Sequence, residues 1–150
     1  MTHSQLEEAI VKFIINNPLF KCSDLYISSD DKNGNPELIA YVNNQQKQCR
    51  PDVIAHNFWG DKFQIYGEAK SSNDFQSNNP EAKVRHSKQV DVMLNALKVK
   101  RVKYKYLIYA CDIDFRNDIE LLINQKKLFF DAKDVNIIII DQLNNSDLFQ

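Results

Sequence analysis

The sequence predicts an α/β domain in which a central mixed β-sheet is flanked by helices. Four strand-like segments follow one another in the first half of the chain, whereas strands and helices alternate in the second half. A run of strands followed by alternating strands and helices is typical of a mixed sheet covered by helices. The chain has 150 residues, which corresponds to a single domain over residues 1–150.

Composition narrows the class of protein. Hydrophobic residues make up 43% and charged residues 26% of the chain, an ordinary globular balance. A net charge of −1 excludes a uniformly basic nucleic-acid-binding protein. The longest apolar runs are only a few residues, so we expect no membrane partner.

The three cysteines are widely spaced, and the N-terminus lacks a signal-peptide pattern. These two features predict free thiols in the cytoplasm. Glycine-rich phosphate-binding motifs are missing, so no nucleotide cofactor is expected.

The first element is an amphipathic helix. Its apolar residues recur at helical spacing, at Leu6, Ala9, Ile10, Phe13 and Ile14. Ser4 is the predicted N-cap, with Glu7 as its capping-box partner. The helix should end before Pro18, because the residue that precedes a proline avoids helical dihedral angles.

The next segments are rich in β-forming residues. They cover residues 24–29, 37–43, 50–56 and 62–70. The Asn33–Gly34 dipeptide predicts a hairpin turn between the first two strands. A turn-forming segment around Trp59 predicts a second hairpin between the last two.

The rest of the chain alternates between helix and strand. Residues 71–80 are polar and read as a loop. The following segments are a predicted helix over 81–99, a strand over 104–111, a helix over 112–130 and a strand over 135–140.

Two neighbouring predicted strands carry the residues suited to catalysis. Asp52 lies on the third strand, and Glu68 and Lys70 lie on the fourth. Side chains alternate along a strand, so Glu68 and Lys70 share one face. If the two strands form a hairpin, Asp52 lies beside Glu68. Two carboxylates and an ammonium group then converge.

This convergence predicts a magnesium site. Mg²⁺ prefers oxygen ligands, often one or two carboxylates together with substrate phosphate and water. Asp52 and Glu68 are the expected ligands, with the Ala69 carbonyl as a third protein oxygen and Mn²⁺ as a substitute ion. A bound Mg²⁺ lowers the pKa of water and neutralises phosphodiester charge, and Lys70 would stabilise charge in the transition state. The alternative is a surface hairpin whose Glu68 and Lys70 form a weak ion pair.

The Pro51–Asp52 and Glu68–Ala69–Lys70 motifs, each near the end of a predicted strand, resemble the PD-(D/E)xK nuclease superfamily. The order of elements over residues 4–111 is also similar. The resemblance implies a restriction endonuclease-like core and metal-dependent hydrolysis of DNA. Members of this superfamily often carry an acidic residue in the first helix that approaches the metal. Glu7 lies beside the apolar stripe and is the candidate, although a capping role is equally open.

The helix after the motif is the predicted DNA contact. Between Lys83 and Lys105 stand eight basic residues and one acidic residue, which suits a polyanion but equally a solvated helix face. RecB-type members carry a glutamine in this helix with a tyrosine four residues later. Here Gln89 is followed by Met93, so the match is partial. The predicted backbone contacts are Ser71, Arg85, His86, Lys88 and Gln89.

Together these observations predict a Mg²⁺-dependent deoxyribonuclease, an endonuclease whose partner is DNA. A homodimer is left open. One alternative is a nucleic-acid-binding or interaction module with the same fold but no cleavage. The complete set of Asp52, Glu68 and Lys70 argues against it. A second alternative is an RNA-directed nuclease, because the metal chemistry does not distinguish the two sugars.

Overall fold

A computed structural model describes residues 1–59, 61–71 and 80–141. The chain forms a five-stranded sheet and a separate two-stranded hairpin. The strands are β1 (Leu25–Ser29), β2 (Leu38–Val42), β3 (Gln45–Cys49), β4 (Val53–Asn57), β5 (Phe63–Lys70), β6 (Tyr104–Cys111) and β7 (Val135–Ile140). The helices are α1 (His3–Asn16), α2 (Asp30–Asn33), α3 (Pro80–Lys98) and α4 (Arg116–Phe129).

The main sheet is mixed, as the sequence predicts. Its strand order is β1-β4-β5-β6-β7. The pairs β1–β4 and β4–β5 are antiparallel, whereas β5–β6 and β6–β7 are parallel. Strands β6 and β7 carry apolar runs, as expected for parallel strands whose two faces are both covered. The α/β class with a mixed sheet flanked by helices is therefore confirmed.

Two apolar cores lie on opposite faces of this sheet. On one face, α1 packs Leu6, Ile10 and Phe13 against β4 and β5. On the other face, α3, α4 and the β2–β3 hairpin share a second core. Gly67 makes the α1 contact possible, because a Cβ there would meet the Ile10 side chain at 2.9 Å and Val53 Cβ at 3.0 Å.

The predicted hairpin at Asn33–Gly34 is wrong. β1 pairs with β4, and β2 pairs with β3, a strand that the sequence analysis missed. Residues 30–33 form the short helix α2, and Gly34 ends it with a φ of 66°. A glycine with a positive φ is favoured both at the C-terminal end of a helix and in a hairpin turn. The Asn33–Gly34 dipeptide is therefore compatible with either structure.

Two helix starts also differ from the prediction. Thr2, not Ser4, is the N-cap of α1, and Gln5 completes the capping box in place of Glu7. A 3₁₀ turn over Ile113–Phe115 precedes α4, so that helix begins at Arg116 rather than at residue 112. Of the predicted loop over 71–80, residues 72–79 lie outside the described residues, and Pro80 begins α3.

The predicted free thiols are confirmed: Cys22, Cys49 and Cys111 form no disulfide. Within the described parts of the chain, no helix combines the length and the apolar character needed to cross a membrane.

Candidate active site

The β4–β5 register brings Asp52 and Glu68 together. Val53 pairs with Gly67, so the residues just outside that pair face one another. The Asp52 N–H donates to Glu68 Oε1 at 3.2 Å, and the Ala69 N–H donates to Asp52 Oδ2 at 2.9 Å. Asp52 immediately precedes β4, so each carboxylate is held by a main-chain N–H of the segment that carries the other. The predicted adjacency of the two carboxylates is confirmed.

Lys70 completes this cluster from the end of β5. Its Nζ lies 3.7 Å from Glu68 Oε2 and donates to Gln89 Oε1 of α3 at 2.6 Å. Glu68 is 2% exposed and Lys70 7%. Such burial excludes the alternative of a solvated surface ion pair. The lysine is held between a strand residue and a helix residue.

Helix α1 adds a second group of ligand atoms. Glu7 is buried, with 1% of its surface exposed. His3 Nε2 lies 3.2 Å from Asp52 Oδ1. His3, Glu7 and Asp52 each offer one potential ligand atom, and these atoms lie within 4.8 Å of one another. The two oxygens of Asp52 thus point to different neighbours: Oδ2 to the main chain of β5, and Oδ1 to α1.

Burial and like charge raise the pKa values of two carboxyl groups. Burial raises the pKa of Glu7 to about 8, assisted by a hydrogen bond shared with Asp31 and by the Asp52 charge. Glu7 and Asp31 can share a hydrogen bond only when one of them is protonated. Burial also raises the pKa of Glu68, and the Asp52 charge adds to the effect, while Lys70 partly opposes it. Both groups lie where negative charge is poorly compensated.

The donor set fits a divalent cation. Apart from the proton that it can share with Asp31, neither oxygen of Glu7 has a hydrogen-bond partner in the described ranges, which is costly for an ionised carboxylate. A cation bound among His3, Glu7 and Asp52 would compensate Glu7 and Asp52, whereas Glu68 lies outside that group of ligand atoms and faces Lys70. Carboxylate oxygens suit Mg²⁺, and the imidazole of His3 would raise the affinity for transition metals. The expected ligand role of the Ala69 carbonyl stays a prediction.

The predicted DNA contacts on α3 divide into two groups. Arg85 and Lys88 are exposed, and Gln89 is half-buried through its contact with Lys70. His86 is 1% exposed, with Nε2 3.2 Å from the Tyr109 hydroxyl, and burial lowers its pKa to about 3. The predicted phosphate contact of His86 is therefore wrong, because the ring is buried and neutral. Ser71 is 4% exposed, so its hydroxyl is not a surface group either.

Sequence reasoning missed His3 and Asp31. His3 precedes Glu7 by four residues, so the two side chains lie on one face of α1. That spacing was the available signal for His3. Asp31 had no comparable signal, because it reaches Glu7 only through α2, which replaces the hairpin that the sequence predicted.

Comparisons with known proteins give little further information. No family model matches the chain, and no curated protein does. Among solved structures, the chain is similar to one described as "CdiA-CT/CdiI toxin and immunity complex from Yersinia pseudotuberculosis". The match has 15% sequence identity and a TM-score of 0.30, and it covers 51% of this chain and 73% of that chain. A similarity this small carries no functional inference.

Proposed function

We propose that the chain is a Mg²⁺-dependent deoxyribonuclease that hydrolyses phosphodiester bonds of DNA as an endonuclease. The observation that carries the proposal is the interlocked pair of Asp52 and Glu68 beside Lys70. Asp52 and Glu68 are both buried, and the Lys70 ammonium lies at ion-pair distance from Glu68, so the cluster holds two carboxylates for one ammonium group. A site for a divalent cation and a phosphate requires that excess of negative charge.

The resemblance to the PD-(D/E)xK superfamily supports the same function. Glu68 and Lys70 lie on β5, and Asp52 immediately precedes β4, the antiparallel neighbour of β5. The first helix supplies a buried acidic residue, Glu7, next to Asp52. The capping alternative for Glu7 is removed, because Thr2 and Gln5 form the capping box.

Each residue has a distinct role in this proposal. Asp52 and Glu68 would hold Mg²⁺, and Glu7 would assist from the α1 side. Bound Mg²⁺ supplies acidification of water and neutralisation of phosphate charge. The Lys70 ammonium has three N–H donors; the hydrogen bond to Gln89 uses one of them, and Glu68 lies at ion-pair distance. The ammonium can therefore also orient the attacking water and stabilise negative charge as the phosphodiester is cleaved.

Cleavage of supercoiled plasmid tests this function. The wild-type protein should nick or linearise the plasmid with Mg²⁺ and should be inactive in chelator. Asp52→Asn and Glu68→Gln should abolish cleavage, because each removes a negative ligand without changing side-chain size. Lys70→Met should reduce turnover about 10²-fold or more while Mg²⁺ binding, followed by calorimetry, survives. Glu8→Gln is the matched control, since Glu8 lies next to Glu7 but is exposed and pairs with Lys12.

Parallel substrates separate the alternatives. Cleavage of RNA but not DNA would identify an RNA-directed nuclease with the same site. A protein that binds DNA but cuts no nucleic acid with Mg²⁺ or Mn²⁺ would be the non-cleaving module. Wild-type activity in the Glu68→Gln protein would disprove the site assignment.

A further inference from the structure

Exposed aromatic rings lie at the end of the sheet opposite the candidate active site. Strand β5 runs from this end to Lys70, and its eight residues span roughly 23 Å. Phe58 is 67% and Trp59 79% exposed, and their rings meet edge to face at 5.3 Å. Tyr104, at the start of β6, is 42% exposed. A cluster of large aromatic side chains exposed to solvent often marks a binding surface.

Four exposed cations lie in the two loops that meet at this end of the sheet, the loop before β5 and the loop before β6. They are Lys62, Lys100, Arg101 and Lys103. Main-chain hydrogen bonds fix the two loops against each other: the Lys103 N–H donates to the Asp61 carbonyl at 3.3 Å, and the Tyr104 N–H to the Lys62 carbonyl at 3.0 Å. Lys103 Nζ lies 5.2 Å from the Tyr104 ring centroid. The rings and the cations therefore form one surface, which we call the distal surface.

The charges of the distal surface are available to a ligand. Among the described residues, none of its four cations forms a salt bridge. The neighbouring Lys105 differs, because its Nζ lies 3.0 Å from Asp134 Oδ2. Two acidic residues lie beside the four cations: Asp61 accepts a hydrogen bond from Asn57 Nδ2 at 2.7 Å, and Asp24 accepts hydrogen bonds from Asn57 and the Phe58 N–H. The net charge of the distal surface is positive on a chain whose overall charge is −1.

We propose that the distal surface binds single-stranded nucleic acid. Unpaired bases stack on exposed aromatic side chains, and a basic groove follows the phosphates; together these features bind single strands with little sequence preference. A duplex offers no free base faces for Phe58 and Trp59. A second copy of the chain would bring four like charges against four, which opposes self-association. This surface is separate from the carboxylate cluster, so the inference does not depend on cleavage.

The single tryptophan of the chain makes the test direct. Trp59 fluorescence, excited selectively, reports on this surface alone. Titration with oligo(dT) in chelator, where no metal-dependent cleavage can occur, should quench it. Fluorescence anisotropy of labelled oligo(dT) provides a second readout for variants without the tryptophan. Phe58→Ala and Trp59→Ala should each weaken binding about tenfold, since one stacked base contributes about that factor.

Charge variants complete the test. Lys100→Gln with Arg101→Gln should make the salt dependence shallower, by about 0.7 per lost contact in log K against log salt. Lys12→Gln with Lys32→Gln removes the same charge from α1 and α2 and should leave oligo(dT) binding unchanged. The proposal is overturned if Trp59→Ala binds oligo(dT) like wild type, or if both charge pairs behave alike. It is also overturned if Trp59 responds to anionic phospholipid vesicles or to self-association and not to oligo(dT).

Oligo(dT) binding by the distal surface and plasmid cleavage by the candidate active site can be lost independently of each other. Plasmid cleavage that survives Trp59→Ala, together with lost oligo(dT) binding, would leave the active site intact and support the distal surface. Oligo(dT) binding without any cleavage would support the distal surface and contradict the nuclease proposal.

Discussion

The Lys70 ammonium donates to the side-chain carbonyl of Gln89 across 2.6 Å. This contact ties the end of β5 to the middle of α3, over a separation of 19 residues. A buried lysine needs an acceptor, and Glu68 alone, at 3.7 Å, is a distant one. Gln89 is therefore a positioning residue for Lys70, in addition to the DNA contact that the sequence predicts for it.

Replacing Gln89 tests this positioning role. Gln89→Leu should lower the free energy of unfolding by about 1–3 kcal/mol, because a buried charged donor loses its partner. Turnover should fall while the affinity for DNA changes less. Gln89→Glu keeps an acceptor and should recover much of both. Denaturant unfolding and cleavage assays measure the two effects, with Gln125→Leu on α4 as the exposed control. A Gln89→Leu protein with normal turnover would show that Lys70 does not need this partner.

His3 should influence which cation binds. Its Nε2 lies 3.2 Å from Asp52 Oδ1, and imidazole favours transition metals over Mg²⁺. His3→Gln should therefore weaken Mn²⁺ binding, measured by electron paramagnetic resonance, more than it weakens Mg²⁺ binding, measured by calorimetry. His56→Gln is the control, because His56 stacks on Tyr26 on another part of the sheet. Equal losses for both metals would indicate that His3 only orients Asp52.

The β4–β5 half of the candidate site could be predicted from sequence because it depends on strand geometry. Alternation fixes Glu68 and Lys70 on one face, and an antiparallel neighbour brings Asp52 beside them. The α1 half depends on how a helix docks on the sheet. Glu7 was identified because it borders the apolar stripe that docks. His3 was not, because its contact with Asp52 spans 49 residues and has no local pattern.

The strand pairings show a similar limit. The predicted bounds of β6 and β7 agree with the structure at every residue. Both strands are buried between helices and are therefore marked by runs of apolar and β-branched residues. The strand β3 (QQKQC) is polar and largely exposed, so it lacks the alternation that marks a strand. Without β3, the pairing partner of β2 was assigned to β1, and the hairpin prediction at Gly34 followed from that assignment.

His86 should make the protein sensitive to acid. Burial, and to a lesser extent the Lys70 charge, lowers its pKa from 6.5 to about 3. Above about pH 6.5 the ring is neutral in both states and has no effect on the pH dependence. Below that pH the His86 ring binds a proton in the unfolded chain but not in the folded chain. The free energy of unfolding therefore falls as the pH decreases toward 3.

The comparison with His86→Gln isolates this contribution. Between about pH 6.5 and pH 5, the wild type should lose about 2 kcal/mol more unfolding free energy than the variant. Glu7 and Glu68 have raised pKa values, so they make the free energy of unfolding rise as the pH decreases. Both proteins contain these two residues, so their contribution cancels in the comparison. Urea unfolding at the two pH values gives the difference. Parallel pH profiles would mean that His86 is protonated in the folded state.

The exposed face of α3 should contribute to binding of duplex DNA. Arg85 and Lys88 are three residues apart, so they share one face of the helix, and Lys88 adjoins Gln89 at the candidate active site. Arg85→Gln with Lys88→Gln should weaken binding of any DNA sequence. The slope of log K against log salt should become shallower by about 0.9 for each lost phosphate contact. Fluorescence anisotropy with a labelled duplex in chelator measures both effects.

The control for this prediction must remove two charges without disturbing the fold. Lys126 is unsuitable, because its Nζ lies 3.0 Å from Asp91 Oδ1 and links α4 to α3. Lys12→Gln with Lys133→Gln is preferable, since both side chains are more than half exposed, at 61% and 84%. This pair should leave duplex affinity nearly unchanged. If it weakens binding as much as the α3 pair does, DNA does not follow α3, and the effect of both pairs is one of net charge alone.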